Sequence, residues 1–249
     1  MQWADTALVI GGRPHGETSV ILELLTRHHG RHLGIVRGGR SRALRPVLQA
    51  GNSVGVVWRA RLDEHLGAFA IEPLESRAGR LMAKPFALHG LNHLSGLLHL
   101  LPERDPHPAL FDMAEALVSH LHEPALAPDL AVRFELAMLA DFGFGLDLER
   151  CTLSGVTADL AYVSPKTGRA VSRDAGAPWR ERLLALPAFL LTPAGEHSPG
   201  AGDIAEAFRL TGHFLERELF GPRGQALPAA RARFIEEVVR LEAGTARVS

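Results

Sequence analysis

The chain has 249 residues, of which 46% are hydrophobic and 22% are charged. This is enough apolar material for one large or two small domains, and the charge content argues against global disorder. A single cysteine, Cys151, excludes an internal disulfide and a zinc site built from cysteines alone. Residues 1–80 contain 11 arginines and seven acidic residues, whereas residues 81–249 carry an excess of five negative charges. A basic part joined to an acidic part indicates that the first part meets an anionic partner.

The first 75 or so residues are predicted to be β-structure. Short apolar runs separated by Gly, Pro and Arg-rich turns predict five strands, at residues 7–10, 19–26, 32–36, 53–61 and 66–72. In the fourth run Trp58 alternates with valines, so we expect it to pack in the core. Five short strands fit a small closed barrel, because closure removes exposed sheet edges.

From Pro85 onward the apolar residues recur at three- and four-residue steps, which is typical of helices. Helices are predicted at residues 86–101, 108–122, 128–142, 203–219 and 228–241. Residues 150–180 are rich in Gly, Ser, Thr and Asp and are predicted to be an irregular insert. The sequence therefore predicts a multidomain α+β protein with a barrel domain at residues 1–80 and a helical domain at residues 81–249.

Arginines are concentrated in and around the predicted barrel. No acidic residue lies between Glu23 and Asp63, and Arg37-Gly-Gly-Arg-Ser-Arg places three arginines around two glycines. Glycine lets the backbone approach a phosphate, and a guanidinium group can hold two phosphate oxygens at once. We expect these side chains to follow a nucleic-acid backbone. The candidate DNA-binding residues are Arg13, Arg27, Arg31, Arg37, Arg40, Arg42, Arg45 and Arg59. His28 and His32 are expected to add to this basic surface.

Large aromatic residues are scarce in the barrel segment, where Trp3, Trp58 and Phe69 stand alone. Phosphate contacts should therefore dominate over base stacking, with weak sequence preference and steep salt dependence. Charge does not distinguish DNA from RNA, so an RNA-binding barrel protein remains an alternative.

Two patterns raise the alternative of an enzyme. Residues 51–55 match G-x-S-x-G around Ser53, but a nucleophile elbow needs a preceding strand and a following helix. His89 and His93 are four residues apart on a predicted helix, yet no third metal ligand is evident. Neither a G-x-x-x-x-G-K-[ST] nor a G-x-G-x-x-G motif occurs, so we expect no catalytic residues, metal or cofactor.

Three segments together resemble a known family. Residues 13–19 resemble the R-P-x-x-E-x-S segment of RecO proteins, residues 26–42 resemble their T…G…x-x-V-x-K-G-x-R segment, and residues 133–144 resemble their R-F-E-L-x-L-L-x-x-x-G-Y element. The resemblance implies an OB-fold barrel followed by a helical domain. It implies binding of single- and double-stranded DNA, annealing of complementary strands, and loading of RecA onto DNA coated with single-strand binding protein (SSB). The implied partners are RecR and the acidic C-terminal tail of SSB.

Two further expectations come from comparing the chain with that family. Some relatives carry a zinc ribbon with two cysteine pairs, whereas here Ser154 takes the place of one ligand and Ser164 lies near the expected second pair, so we expect a metal-free loop or small hairpin. Arg133 is the candidate residue for binding a partner's C-terminal carboxylate, although an internal ion pair, typical of an arginine beside a glutamate such as Glu135 on an apolar helix, is the alternative. The first residues lack signal-peptide character and no long apolar run occurs, so we expect a cytoplasmic protein without a membrane span.

Overall fold

The structure is a computed structural model that describes residues 1–196 and 199–245. The chain divides into two compact units, Met1–His122 and Glu123–Ser249. The first contains a five-stranded barrel and the three helices that follow it, and the second contains the remaining helices and a small sheet. The predicted α+β class is therefore confirmed.

The barrel closes in the strand order β1-β2-β3-β5-β4, with β4 returning to β1. Its strands are β1 (Gln2–His15), β2 (Ser19–Thr26), β3 (Gly30–Val36), β4 (Ser53–Arg59) and β5 (Ala68–Glu75). All pairings are antiparallel except that of β3 with β5. β1 is longer than predicted because its first half pairs with β4 and its second half with β2, with a register shift between Val9 and Gly11.

Trp58 fills the middle of the barrel, as the alternation of β4 predicts. It is fully buried, and its indole Nε1 donates a hydrogen bond to the Leu66 carbonyl at 3.1 Å. Gly34 on β3 faces Phe69, and a Cβ there would lie 2.6 Å from the phenyl ring. At Gly34 the barrel interior therefore has no room for an additional methyl group.

Residues 37–51 connect β3 to β4 through a series of turns. Backbone hydrogen bonds join Arg45 N to Ser41 O at 3.0 Å and Leu48 N to Leu44 O at 3.1 Å. Leu44 and Leu48 pack against the barrel core. This segment, called the arginine loop below, buries its apolar residues against the barrel and leaves its arginines in water.

Three helices complete the first unit: α1 (Ala78–Met82), α2 (Pro85–Leu98) and α3 (Pro108–His120). The side chain of Asn52 joins α1 to the barrel, since its Oδ1 accepts hydrogen bonds from the backbone N–H groups of Arg77 (2.8 Å) and Ala78 (2.9 Å). Gly51 lies so close to Leu91 of α2 that a Cβ would come within 3.2 Å of its side chain. The helices therefore pack directly on the barrel.

The second unit is built around α4 (Ala127–Asp141), α6 (Ala201–Phe214) and α7 (Ala229–Thr245). A buried ion pair holds them together, because Arg231 Nε of α7 donates to Glu135 Oε1 of α4 at 2.7 Å. Thr211 of α6 also donates to the Glu135 carboxylate. In residues 1–196 and 199–245, no helix is long and apolar enough to cross a membrane.

The predicted irregular insert contains more regular structure than the sequence indicates. Strands β6 (Leu160–Val163), β7 (Ala170–Ser172) and β8 (Leu184–Ala185) form a three-stranded sheet in the order β7-β6-β8. The short helix α5 (Arg173–Gly176) and a 3-10 helix (Ala177–Arg182) connect β7 to β8. The predicted hairpin corresponds to β6 and β7. The sequence did not predict β8, because two residues are too few to show an alternation of apolar and polar side chains.

Candidate nucleic-acid interface

One cluster of arginines surrounds a cavity at the arginine-loop end of the barrel. Arg13 from β1 and Arg40 and Arg45 from the loop line this cavity of about 550 Å³. Gly39 forms part of its wall, and a Cβ there would lie 3.0–3.1 Å from the side chains of Leu48 and Val20. Glycine lets the loop backbone lie against the barrel, while the side chains of Arg37 and Arg40 on either side remain exposed.

Arg40 is anchored by carbonyl groups. Its Nη1 donates to the carbonyl of Glu17 at 2.9 Å and to that of Gly16 at 3.4 Å, and its backbone N–H donates to Thr18 O at 3.0 Å. Carbonyl oxygens accept hydrogen bonds without cancelling the positive charge, so the guanidinium group is positioned and remains attractive to an anion. The sequence did not predict these turn residues as supports, because backbone carbonyls leave no mark in residue type.

A second cluster lies on the outer face of the barrel. Arg37 and Arg59 line a shallow cavity of about 470 Å³ together with Val57, Ala68, Phe69 and Ala70. Strand register brings the two arginines together, because Arg59 pairs with Ala68, which also pairs with Ile35, two residues before Arg37. Arg59 Nε donates to Gln2 Oε1 at 2.9 Å, again to a neutral acceptor.

Six of the eight candidate arginines keep an uncompensated charge. Within the part of the chain that the structure describes, none of them forms an ion pair with a carboxylate. All six side chains are exposed. They are Arg13, Arg37, Arg40, Arg42, Arg45 and Arg59. Exposed cations without counter-charges raise the local concentration of a polyanion and can bind its phosphates.

Arg27 and Arg31 differ from the other six. Arg27 Nη2 lies 2.9 Å from Asp112 Oδ2 on α3, and Arg31 contacts Glu23 and lies 3.8 Å from Glu103. Their assignment as DNA-binding residues stays a prediction, which now requires a phosphate to compete with these carboxylates. The acid-free run could not show Asp112 and Glu103, which lie more than 70 residues away, and Glu23 at its edge reaches Arg31 through the pairing of β2 with β3.

The partner of Arg31 is held in its charged form. Burial raises the pKa of Glu23, but hydrogen bonds and charge interactions with His99 and Arg31 outweigh burial and lower this pKa below its ordinary value. His99 Nε2 lies 3.2 Å from Glu23 Oε2. Glu23 therefore remains a carboxylate at neutral pH and neutralises Arg31.

Of the two histidines predicted to extend the basic surface, His28 is exposed and pairs with Asp5, whereas His32 is buried. His28 and His29 both hydrogen-bond through Nδ1 to Asp5, at 3.1 and 2.9 Å, and the His29 ring stacks on Trp3. His32 is buried edge-on against Trp58, and burial lowers its pKa. His32 therefore does not belong to the exposed surface.

The structure shows where the residues behind the enzyme hypothesis lie: Ser53 at the start of β4, and His89 and His93 in α2. Ser53 begins β4 and its Oγ donates to Glu115 Oε1 at 2.6 Å, so the strand-Ser-helix order of a nucleophile elbow is not met. His93 is buried in α2 and His89 is half-buried. Among residues 1–196 and 199–245, no three His, Cys, Asp or Glu side chains come together as a metal site would require.

Cys151 in the second unit is buried and contacts serines. Ser172 Oγ donates to Cys151 Sγ at 3.4 Å and lies 3.5 Å from Ser154 Oγ. Ser154 thus lies close to this group, as its place in the sequence suggested. Ser164, which lies near the expected second cysteine pair, is part of the turn between β6 and β7.

Arg133 lies in α4 with most of its side chain buried. Its Nε donates to Asp129 Oδ1 and its Nη2 donates to the Phe189 carbonyl, each at 2.6 Å. The guanidinium carbon lies 5.9 Å from the centre of the Phe189 ring. Arg133 thus pairs with Asp129 one helical turn away, and Glu135 pairs with Arg231.

The strand order β1-β2-β3-β5-β4 of a closed five-stranded barrel defines the first unit as an OB-like domain, and the chain as an OB-fold protein with a helical second unit. Family models agree: residues 1–77 match Recombination protein O N terminal and residues 84–226 match Recombination protein O C terminal. The chain belongs to the RecO family.

Curated relatives match over nearly the whole chain. A protein from Methylobacterium nodulans named DNA repair protein RecO is 61% identical over 238 residues, covering 94% of this chain and 97% of its own length. A Rhizobium etli protein of the same name is 58% identical over 240 residues, covering 96% and 93%. A Methylorubrum populi protein of that name is 57% identical over 239 residues, covering 94% and 97%.

Proposed function

We propose that this protein acts in DNA repair as a non-enzymatic binder of single- and double-stranded DNA in the cytoplasm. It anneals complementary strands and helps to load RecA onto DNA coated with SSB. Membership of the RecO family and the names of the curated relatives support this role. DNA is favoured over RNA on the same ground, since the exposed charges would suit either polymer.

The observation that carries the proposal is the set of six exposed arginines without carboxylate partners on one small barrel. All six lie within residues 1–80, which we propose as the DNA-binding domain, with residues 81–249 as the helical domain. Arginines that bind the phosphates of two strands lower the electrostatic repulsion between those strands. Annealing then requires only this screening and no covalent chemistry.

Partner binding is assigned to the second unit. We propose that α4 accepts the acidic C-terminal tail of SSB near Arg133, and that RecR is a further partner. Arg133 Nε and Nη2 are occupied by Asp129 and Phe189, which holds the guanidinium plane still and leaves Nη1 for a carboxylate. Because Asp129 already compensates the charge, the tail's affinity should depend on apolar contacts as much as on this arginine.

The DNA-binding assignment is tested by a salt titration of oligonucleotide affinity with the full chain. Replacing Arg40 and Arg42 by Gln together should weaken binding similarly for all sequences and lower the salt slope by about two, one for each phosphate contact. The matched control replaces Arg209 and Arg240 by Gln, two exposed arginines of the second unit that pair with Glu206 and Glu237. Equal affinity and an equal slope in the Arg40/Arg42 variant would refute the arginine loop as the binding site.

A further inference from the structure

An exposed tryptophan in the second unit has no part in the site described above. Trp179 lies in the 3-10 helix Ala177–Arg182 and is 53% exposed. The other two tryptophans belong to the barrel, where Trp58 is buried and Trp3 stacks on Trp58 and His29. A large ring left in water on an ordered surface is typical of a contact for a partner, because tryptophan combines a wide apolar face with a polar edge.

The backbone that carries Trp179 is fixed against the small sheet. Gly176, which precedes the 3-10 helix, lies so close to Tyr162 of β6 that a Cβ would come within 2.5 Å of its ring. Arg173 N donates to Asp159 O at 2.9 Å, and Leu183 N donates to Arg180 O at 3.3 Å. The exposed ring is therefore presented by a rigid support, which reduces the entropy lost on binding.

The surroundings of Trp179 are positively charged. The Arg182 guanidinium carbon lies 6.0 Å from the centre of the ring, and Arg180 is also exposed. Neither arginine forms an ion pair within the residues that the structure describes. Val163 pairs with both Ala170 and Leu184. The turn that carries Lys166 and Arg169 therefore lies at the same end of the sheet as Arg182, which precedes Leu184. Residues 166–182 contain five basic and two acidic residues, in a unit whose net charge is negative.

We propose that Trp179 stacks on a base of single-stranded nucleic acid while Arg180 and Arg182 bind the neighbouring phosphates. The Arg182 guanidinium carbon lies over the ring while Trp179 keeps 53% exposure, and cations beside an aromatic platform suit a polyanion with flat bases. The inference rests on the proposed function and adds a stacking contact that the aromatic-poor barrel lacks.

Charge and shape favour a nucleic acid over a peptide at this place. The shallow cavity beside the ring, about 310 Å³, is lined by residues 177–182, half of them charged. A C-terminal peptide tail needs an apolar groove for its hydrophobic side chains, and these six exposed residues do not form one.

The test is a titration of the full chain with oligo(dT), followed by tryptophan fluorescence and by anisotropy of a labelled strand. Stacking should quench the exposed tryptophan of the wild type, and Trp179→Phe should abolish most of that quenching while retaining affinity. Trp179→Ala should weaken binding by about 5- to 150-fold, the effect of losing one stacked base, without changing the salt slope. Replacing Arg180 and Arg182 by Gln together should lower the slope by about two.

The control is Leu153→Ala, which removes a 63% exposed apolar side chain from the same unit and should leave affinity unchanged. If wild type and Trp179→Ala bind oligo(dT) equally, this inference fails and the proposed function stands. If the wild type does not bind oligo(dT), both fail. Quenching by a peptide ending in Asp-Phe, in the absence of quenching by oligo(dT), would overturn the choice of ligand.

Discussion

At the scale of single residues, the value of an arginine for DNA binding depends on the oxygen that holds it. Arg31 and Arg40 are nine residues apart in a stretch without acids, and the sequence treats them alike. Arg31 lies among carboxylates, whereas Arg40 is held by the carbonyls of Gly16 and Glu17. Both are ordered, but Arg40 alone keeps its full charge for a ligand.

Asp5 gives a pH-dependent prediction. Burial raises the pKa of this carboxyl, but hydrogen bonds from His29, from His28 and from Thr6 outweigh burial and lower the pKa below its ordinary value. A lowered pKa in the folded state stabilises the protein above the unfolded pKa, near 4, and this stabilisation is lost as pH falls through the folded value. Asp5→Asn should reduce the free energy of unfolding at pH 7 by roughly 1–3 kcal/mol.

Urea unfolding of wild type and Asp5→Asn at pH 7 and at pH 3 measures this effect. The difference between the two proteins should shrink at the lower pH, because pH 3 lies below the unfolded pKa and protonation there favours the unfolded state. Asp63→Asn serves as the control, since Asp63 is exposed and should show no such difference. A stability difference that stays constant between pH 7 and pH 3 would contradict the role given to Asp5.

Residue type predicts burial better than it predicts partners. Trp58 was placed in the core from alternation along a single strand, which is local information. The pairing of Arg27 with Asp112 joins residues 85 positions apart, and the two histidines on Asp5 come from another strand's end. Such long-range contacts leave no periodic signal, so they had to be seen in the folded chain.

At the scale of elements, the arginine loop has one apolar side that packs on the barrel and one charged side that is exposed to solvent. Its leucines pack on the barrel and its arginines remain outside, while Asn52 at its end fixes the loop to β4 and α1. Asn52 Nδ2 donates to the carbonyls of Pro46 and Val47 at 2.8 and 3.0 Å. One side chain therefore joins the loop and the first helix.

Asn52→Ala should both destabilise the first unit and loosen the arginine loop. The substitution removes four hydrogen bonds and leaves buried backbone groups unpaired, so we expect a loss of roughly 2–4 kcal/mol in the free energy of unfolding. Urea denaturation measures this loss, and a salt titration with an oligonucleotide should show weaker binding. Gln49→Ala is the control, because Gln49 Nε2 makes a single hydrogen bond, to Arg45 O. A loss of no more than about 0.5 kcal/mol would be typical of an ordinary surface site and would contradict the assignment.

Element length decides how much of the fold can be predicted. Strands and helices of seven or more residues, such as β2 and α3, carry a full period and were predicted with their types correct. α1 has five residues, β7 has three and β8 has two. The hairpin of β6 and β7 was expected only as one of two alternatives and β8 was missed, because the partners that stabilise such short strands follow from tertiary contacts and leave no pattern in the sequence.

At the scale of the whole molecule, the proposed DNA-binding domain and the folding unit have different boundaries. The six uncompensated arginines end at Arg59 and the barrel ends at Glu75, yet the compact unit continues to His122. α3 explains the difference, because Glu115 accepts hydrogen bonds from both Ser53 and the buried guanidinium of Arg77, each at 2.6 Å. Burial lowers the pKa of Arg77, but its hydrogen bonds to Glu75 and Glu115 outweigh burial and raise it, so the group stays charged and needs these partners.

Fragments ending at residues 80 and 122 should therefore behave differently. Residues 1–122 should unfold cooperatively and keep the part of the salt slope that the Arg40/Arg42 substitution removes from the full chain. Residues 1–80 lose Glu115, one of the two carboxylate partners of Arg77, and the apolar helix surface around Leu91 that packs against Gly51, so this fragment should be less stable. Circular dichroism during thermal unfolding compares the two fragments. Equal melting temperatures would show that the barrel folds without its helices, and Arg27, released from Asp112, would then steepen the salt slope of the shorter fragment.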